Sequence, residues 1–419
     1  MNNVNKMHVW IFQTGEPMPL VSDDARPMRV MNLTNCLLQQ GSKVTIWTST
    51  FSHQSKSFFI ENKYAKIRDK DLEIRFIPSP GYKQNLSIAR LIDHLILAFR
   101  LFFTLRKETE KPDILFIGFP PIMFAYVAFR WGKRSNIPMM LDIKDRWPEV
   151  FVFRSPKLIK PIVKIVMMPL EVLVKRMFKG ADVISTISDG FLSWIRRYSG
   201  REIDGRDKVF YLTAGPDRSR GAQFSSFTEN PNENDTQSLK LLFVGSFSAS
   251  FNFAPILETV KFAHENYKAW EFVFCGHGPN KSILESWAGR YPNLKVMGSI
   301  DETRYAELAN TADLAIAPYE RTPDFQLSIP NKVLDYMSFG LPILTSLDGD
   351  LADFLRKKKC GFVYDSTLKH DLCDTLLFLS DNRELLSEYG RNAAVAYESD
   401  MGYSSVYGKL VETLKSYTH

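Results

Sequence analysis

At 419 residues, with 45% hydrophobic and 24% charged side chains, the chain is too long for one ordinary domain and too apolar to be disordered, and two domains with separate cores fit it. The formal net charge of +6 is unevenly spread: residues 1–200 carry 30 Lys and Arg against 17 Asp and Glu, and residues 201–419 carry 23 against 30, so the first half is expected to face something anionic. Cys36, Cys275, Cys360 and Cys373 lie far apart without metal-ligand spacing, which fits a reducing cytoplasmic compartment.

In chain order, Met7-His8-Val9-Trp10-Ile11-Phe12 is too short for a secretory signal and reads as the start of strand Val9–Phe12. Further apolar runs follow at Val44–Thr48, Ile74–Ile77, Ile114–Ile117, Met139–Ile143, Val183–Thr186 and Val209–Leu212, separated by helix-sized segments. The uncharged run 114–129 is broken by Pro120-Pro121 and falls short of the roughly 20 residues that span a bilayer. Residues 218–238, polar and rich in Ser, Asn, Glu and Gln, read as an exposed connection. A second series then runs through Lys240–Val244, Glu271–Cys275, Leu294–Met297, Leu314–Ala317, Pro342–Thr345 and Gly361–Tyr364. Strand and helix alternating twice predicts an α/β protein of two doubly wound, Rossmann-like domains, 1–217 and 239–400, facing an interdomain cleft. Residues 401–419 read as a C-terminal helix that packs back on the first domain.

Two stretches of the first domain mix basic and aliphatic side chains. One spans Lys157 to Lys179, where Lys160, Lys164, Lys175 and Arg176 interrupt an aliphatic run; the other runs from Arg90 to Phe103. Either a helix lying on an anionic membrane surface or a helix packed on a sheet has this composition. Nucleic acid fits less well, because stacking aromatics are few.

In doubly wound sheets ligands bind where loops leave the carboxyl ends of strands. Gly245-Ser246 follows one such strand and Gly276-His277-Gly278-Pro279 another; the first turn can offer backbone amides to a phosphate, and the glycines of the second would let a base or ribose come close. No Gly-x-Gly-x-x-Gly or Gly-Lys-Ser follows any strand, against a nicotinamide or ATP enzyme. The most informative stretch is Ser328-Ile329-Pro330-Asn331-Lys332-Val333-Leu334-Asp335-Tyr336, with Gly340 after it. Pro330 stands where a first helical residue belongs and Gly340 where a C-terminal cap does. The helix start favours an anion, with Ser328, Asn331 and Lys332 as added donors, and Asp335 lies one turn further in. A diphosphate at the helix mouth and a sugar diol on Asp335 would make a nucleoside-diphosphate site; a plain capped helix with Lys332 and Asp335 in water is the alternative. Asp348-Gly349-Asp350 reads as a turn into a helix capped by Asp350, not as a metal site.

Gly245-Ser246, Gly276-x-Gly278, Ala312 to Pro318 and Ser328 to Pro342 occur in the order and spacing of the donor half of GT-B glycosyltransferases. Over nearly its whole length the chain resembles glycosyltransferase family 4, the retaining enzymes. The opening Gln13-Thr14-Gly15-Glu16-Pro17 with Arg26-Pro27-Met28-Arg29, and Asp142-Ile143-Lys144-Asp145-Arg146-Trp147-Pro148-Glu149, look most like members that build bacterial O-antigen or capsule repeats. The resemblance implies that Ser328, Asn331 and Lys332 hold the donor diphosphate and Asp335 the ribose. Gly245 and Ser246 would border the phosphates, Gly276 and Gly278 the base, and Gly15 would approach the diphosphate from the first domain. Asp142, Lys144, Asp145 and Glu149 are implied candidates for orienting the sugar or acceptor.

Implied too are a nucleotide-sugar donor, a lipid-linked, undecaprenyl-diphosphate type acceptor, no metal or other cofactor, no nucleic acid, and a place at the cytoplasmic face of the plasma membrane. Two positions depart from the family. The paired-acid motif has Leu327 where its first acid belongs, and Ser246, Phe247, Ser248 and Ser250 stand where many relatives have a basic pair; this leaves Lys332 and the helix end with more of the phosphate charge, and Arg321 or Arg146 are candidate substitutes. Two other classes use the same donor site: a GT-B nucleotide-sugar 2-epimerase and a non-catalytic nucleotide-sugar or lipid-surface binding protein.

Overall fold

The computed structural model describes residues 6–18, 27–84, 87–213 and 238–418; Arg26 and, apart from Ser238, the connection 218–238 lie outside them. The chain divides into two compact units, Met1–Tyr211 with Val406–His419, and Leu212–Ser405. The terminal helix Tyr403–Lys415 therefore belongs, from Val406 onward, to the first unit, where Lys415 donates to Gln40 at 2.7 Å.

Eight strands form the sheet of the first unit: β1 (His8–Phe12), β2 (Lys43–Ser49), β3 (Ala65–Asp69), β4 (Leu72–Ile77), β5 (Ile114–Phe119), β6 (Met139–Ile143), β7 (Val183–Thr186) and β8 (Lys208–Val209). Their order is β3-β4-β2-β1-β5-β6-β7-β8. Strands β1, β4, β5, β6 and β7 are buried at every residue, because a parallel sheet covered on both faces needs continuous apolar runs. Strand β3 is the exception, antiparallel to β4 and largely exposed. Ala-Lys-Ile-Arg-Asp has no apolar run, as befits an edge, and the sequence gives no signal for it. Strand β8 stops after two residues, short of the expected Val209–Leu212.

The second unit holds β9 (Leu239–Val244), β10 (Trp270–Cys275), β11 (Leu294–Met297), β12 (Leu314–Ala317), β13 (Ile343–Thr345) and β14 (Gly361–Val363), all parallel, in the order β11-β10-β9-β12-β13-β14. Strand order reverses between β1 and β5 in one sheet and between β9 and β12 in the other. At such a switch point neighbouring strands send their connections in opposite directions, which opens a crevice at their carboxyl ends.

One buried ion pair fastens the carboxyl edge of the first sheet. Arg29 opens the helix Arg29–Gln39, and its guanidinium meets Asp142 of β6 through Nε at 2.9 Å and a terminal nitrogen at 2.7 Å. The other terminal nitrogen donates to the Phe210 carbonyl at 2.9 Å, and Ser185 of β7 also donates to Asp142. Asp142 is fully buried and Arg29 nearly so. Replacing Arg29 by Met leaves a buried carboxylate without its counter-ion, so unfolding free energy should fall by about 3–5 kcal/mol. Urea denaturation measures this; a loss below about 1 kcal/mol would mean the pair does not anchor the unit.

Candidate active site

The pairing of β9 with β12 ends at Leu242↔Ala315, two residues before β9 itself ends. Val244 thus reaches the switch point with polar groups that β12 does not satisfy. The helix Asn331–Ser338 supplies the partners. Tyr336 accepts from the Val244 N–H at 3.0 Å and donates to its carbonyl at 3.4 Å, and the Lys332 ammonium donates to the same carbonyl at 2.8 Å. Lys332 and Tyr336 are one helical turn apart and so share a face.

This places Lys332 beside Gly245. A Cβ built on Gly245 would sit 1.1 Å from Lys332 Nζ, so only glycine lets the ammonium lie against the chain here. The ammonium also lies 5.0 Å from the Phe243 ring centre and 5.3 Å from that of Phe251, within cation–π range. Burial beside these rings lowers its pKa to about 8, with Asp335 pulling the other way. A desolvated cation at the mouth of a helix, with a carboxylate nearby, is suited to a ligand that brings negative charge.

Pro330 is the helix cap, not its first residue, and Gly340 follows the last turn with φ +70° and its N–H on Met337 O at 2.9 Å. Ser328 turns its hydroxyl toward the Phe325 carbonyl at 3.4 Å. Asn331 is exposed at the helix start, and Asp335 is half-buried. Ser246 is exposed next to Gly245. The glycines at 276 and 278 have a structural cause: a Cβ on Gly276 would lie 1.9 Å from the Gly245 carbonyl oxygen, and one on Gly278 2.7 Å from the Phe247 backbone. They let the turns after β9 and β10 stack, a stack closed by Phe247 N–H on His277 O at 2.7 Å and Asn280 N–H on Phe247 O at 3.0 Å.

Residues 238–382 match the family described as Glycosyl transferases group 1. The chain is 24% identical over 240 residues to a Bacillus subtilis protein assigned to teichuronic acid biosynthesis as glycosyltransferase TuaH; the match spans 55% of this chain and 53%, about half, of that protein. Among solved structures, sucrose-phosphate synthase from Thermosynechococcus elongatus superposes with a TM-score of 0.67 at 13% identity, covering 98% of this chain and 99% of that one. Anabaena HepE in complex with UDP superposes with a TM-score of 0.59 at 12% identity, over 98% and 100%.

The fold is GT-B. Within it, the matched family segment contains Gly245, Ser246, Gly276, Gly278, Ser328, Asn331, Lys332 and Asp335, and so both sides of the Lys332–Val244–Gly245 contact. The first unit of the GT-B fold treats the expected residues differently. Asp142 is corrected from a candidate reacting group to a structural one: it is fully buried and its oxygens are engaged by Arg29 and Ser185, so no substrate reaches it. Lys144 pairs with Glu16, whose other oxygen accepts the Val30 N–H at 2.8 Å, so it fixes the turn that contains Gly15, a residue with φ +85°. Asp145 is exposed. Glu149 accepts from Arg146 at 2.9 Å and from Trp194 at 2.7 Å.

Neither arginine suggested as a replacement for the missing basic pair points to an empty position. Arg146 is tied to Glu149, and Arg321 reaches Asp365 at 3.1 Å and the Ser346 carbonyl at 3.0 Å. Asp348 accepts from Gln326 at 2.9 Å, and the helix after it is capped by Gly349, with Asp350 as its first residue. Tyr336 is the residue whose role the sequence left unread; its four-residue spacing from Lys332 is the only signal for it.

The two glycine turns should respond differently to substitution. Gly245→Ala displaces only a lysine tip and adds backbone strain of about 1–3 kcal/mol at φ +149°. Gly276→Ala has similar strain at φ +152° and must also move the Gly245 carbonyl, a further loss of about 1–3 kcal/mol. Chemical denaturation of both variants measures the difference, and equal stabilities would refute the stacked-turn account.

Proposed function

We propose that this chain is a retaining glycosyltransferase that moves a sugar from a nucleoside-diphosphate donor to a lipid-linked saccharide in cell-surface polysaccharide biosynthesis. The observation that supports it most is the half-buried Lys332 ammonium held against Gly245 at the switch point of the second GT-B sheet, inside the segment that matches Glycosyl transferases group 1. The UDP bound to HepE and the naming of TuaH for teichuronic acid biosynthesis are consistent with this donor class and this setting.

In this reading the donor diphosphate takes over the hydrogen bond that Lys332 now makes to Val244. As the glycosidic bond to the diphosphate breaks, negative charge grows on the leaving group. Lys332, Asn331, Ser328 and the helix amides stabilise that charge more in the transition state than in the ground state. Asp335 holds the ribose, and the donor phosphate takes the acceptor proton without a covalent sugar–enzyme intermediate. Asp145, exposed on the loop after β6, is the remaining acidic candidate for orienting the acceptor. No metal or other cofactor is required, because the lysine and the helix end already neutralise the leaving group.

A membrane-facing surface accounts for a second observation. On the helix Lys160–Gly180, Ile162, Ile165, Val166, Met168 and Val172 are all more than half exposed, and on the helix Ile88–Arg106 Phe99 is 64% exposed. Exposed aliphatic side chains next to Lys160, Lys164 and Lys175 fit an interfacial helix on anionic lipid. Among the described residues, no helix is long and apolar enough to cross a membrane.

Lys332→Ala should lower turnover by on the order of 10²-fold, and Asp335→Asn should weaken donor binding in titrations of the same preparation. The pH profile adds a direction. Lys332 is charged below about pH 8 and loses its charge above it, so kcat/KM should fall as pH rises through about 8; bound diphosphate favours the ammonium, so the kcat limb should lie higher. Lys332→Arg should abolish this alkaline limb. A limb that survives in Lys332→Arg assigns it to another group.

Exchange of Lys160, Lys164 and Lys175 for Glu should release the protein from phosphatidylglycerol-containing vesicles in a sedimentation assay. Unchanged sedimentation would remove the membrane face from the proposal.

A further inference from the structure

A cluster in the first unit is not used by the donor chemistry. His53 follows β2, Tyr82 and Arg90 follow β4, and Trp147 follows β6, all at the carboxyl ends of strands near the switch point. A Cβ on Gly15, in the turn after β1, would come within 3.6 Å of the His53 Cβ, so the cluster adjoins that turn.

Its hydrogen bonds fix the state of His53. The ring Nδ1 lies 2.5 Å from the Tyr82 hydroxyl and 3.2 Å from the Lys56 ammonium. An ammonium only donates, so Nδ1 is the lone-pair nitrogen and the ring proton sits on Nε2. Burial, with Arg90 and Lys56 nearby, lowers the His53 pKa to about 4, so the ring is a neutral N–H donor at physiological pH. Lys56 stands 4.8 Å from the Tyr82 ring centre, and Arg90 stands 4.7 Å from that of Trp147 and 5.6 Å from that of Tyr82. Aromatic faces hold the guanidinium flat, and its donors project along its edge. The charges facing Arg90 are Asp93, already accepting from Ser79 and from the Gly81 N–H at 2.7 Å, and the exposed Asp145.

We propose that His53, Lys56, Tyr82 and Arg90 form an oxyanion-recognising wall for the acceptor, binding a phosphate or a carboxylate group that the acceptor carries. The identity of the ligand as acceptor rests on the glycosyltransferase reading; the oxyanion site does not. His53 through Nε2, Lys56 and Arg90 supply the donors toward such a group, the Tyr82 hydroxyl donates to His53 Nδ1 and so fixes the ring, the buried Tyr82 and Trp147 rings carry the two cations, and Asp145 competes with the ligand for Arg90.

The test is calorimetric titration of the full chain with three amphiphiles: farnesyl diphosphate, octyl glucuronide and neutral octyl glucoside. At least one anionic probe should bind about 10-fold or more tighter than octyl glucoside, the size expected for one charge-assisted hydrogen bond. Preference for farnesyl diphosphate assigns the oxyanion to phosphate, and preference for octyl glucuronide assigns it to a carboxylate. Arg90→Gln and Lys56→Gln should each weaken that binding about 10-fold, Asp145→Asn should tighten it, and Lys332→Ala should leave it unchanged. A gain in Asp145→Asn cannot come from misfolding. Anionic probes that bind no tighter than octyl glucoside, or wild-type affinity in Arg90→Gln, would overturn the proposal. Sugar transfer is read separately: transfer without Arg90-dependent binding counts against this site alone, and binding without transfer counts against the glycosyltransferase reading alone.

Discussion

The carboxyl end of β9 sets the terms for everything around it. Where β12 leaves the ladder, the polar groups of Val244 need partners, and a helix from the other side of the switch point delivers a tyrosine hydroxyl and a lysine ammonium to them. Backbone polar groups away from water are costly when unmet, so Tyr336, fully buried, pins the helix in position. Lys332 has a different character. Its bond to the Val244 carbonyl is one that an anionic ligand replaces, and its burial beside Phe243 and Phe251 makes such a ligand welcome. A structural contact and a binding-competent contact thus converge on one residue, one held by a neutral hydroxyl and the other by an exchangeable charge.

The first unit satisfies its own carboxyl edge by a different route. Arg29, Asp142 and Ser185 tie β6, β7 and the leading helix into one network with no open valence for substrate. Two ionic groups withdrawn from water, one in each unit, differ in purpose. Asp142 is engaged by fixed donors from two elements, the leading helix and β7, whereas Lys332 has one backbone acceptor and two aromatic faces. Burial alone therefore does not identify a reacting group; the number and permanence of its partners do.

The absent acid at Leu327 and the missing basic pair after Gly245 concentrate the electrostatics. Arg146 and Arg321 are held by Glu149 and Asp365, which leaves Lys332 as the cation placed directly against the glycine turn. Close packing of the two glycine turns after β9 and β10 keeps that position narrow. A side chain at Gly245 would occupy the space of the ammonium itself.

The amino-acid sequence determined the α/β class, the two series of strands and the helix between Pro330 and Gly340, because uninterrupted apolar runs and helix caps are local properties of the chain. It also singled out Lys332 and Asp335 by spacing along one helix. It did not reveal β3, whose exposed edge has no apolar signature, nor the short β8. Nor did it separate Asp142 from Lys144 and Asp145, since a buried ion pair with Arg29 joins residues 113 apart in sequence. The glycines at 276 and 278 are also packing positions, a role set by which backbone lies opposite. Tertiary structure alone brought Tyr336 and Lys332 to Val244, because that contact depends on where β12 parts from β9, and strand register across a switch point is not written in any local pattern.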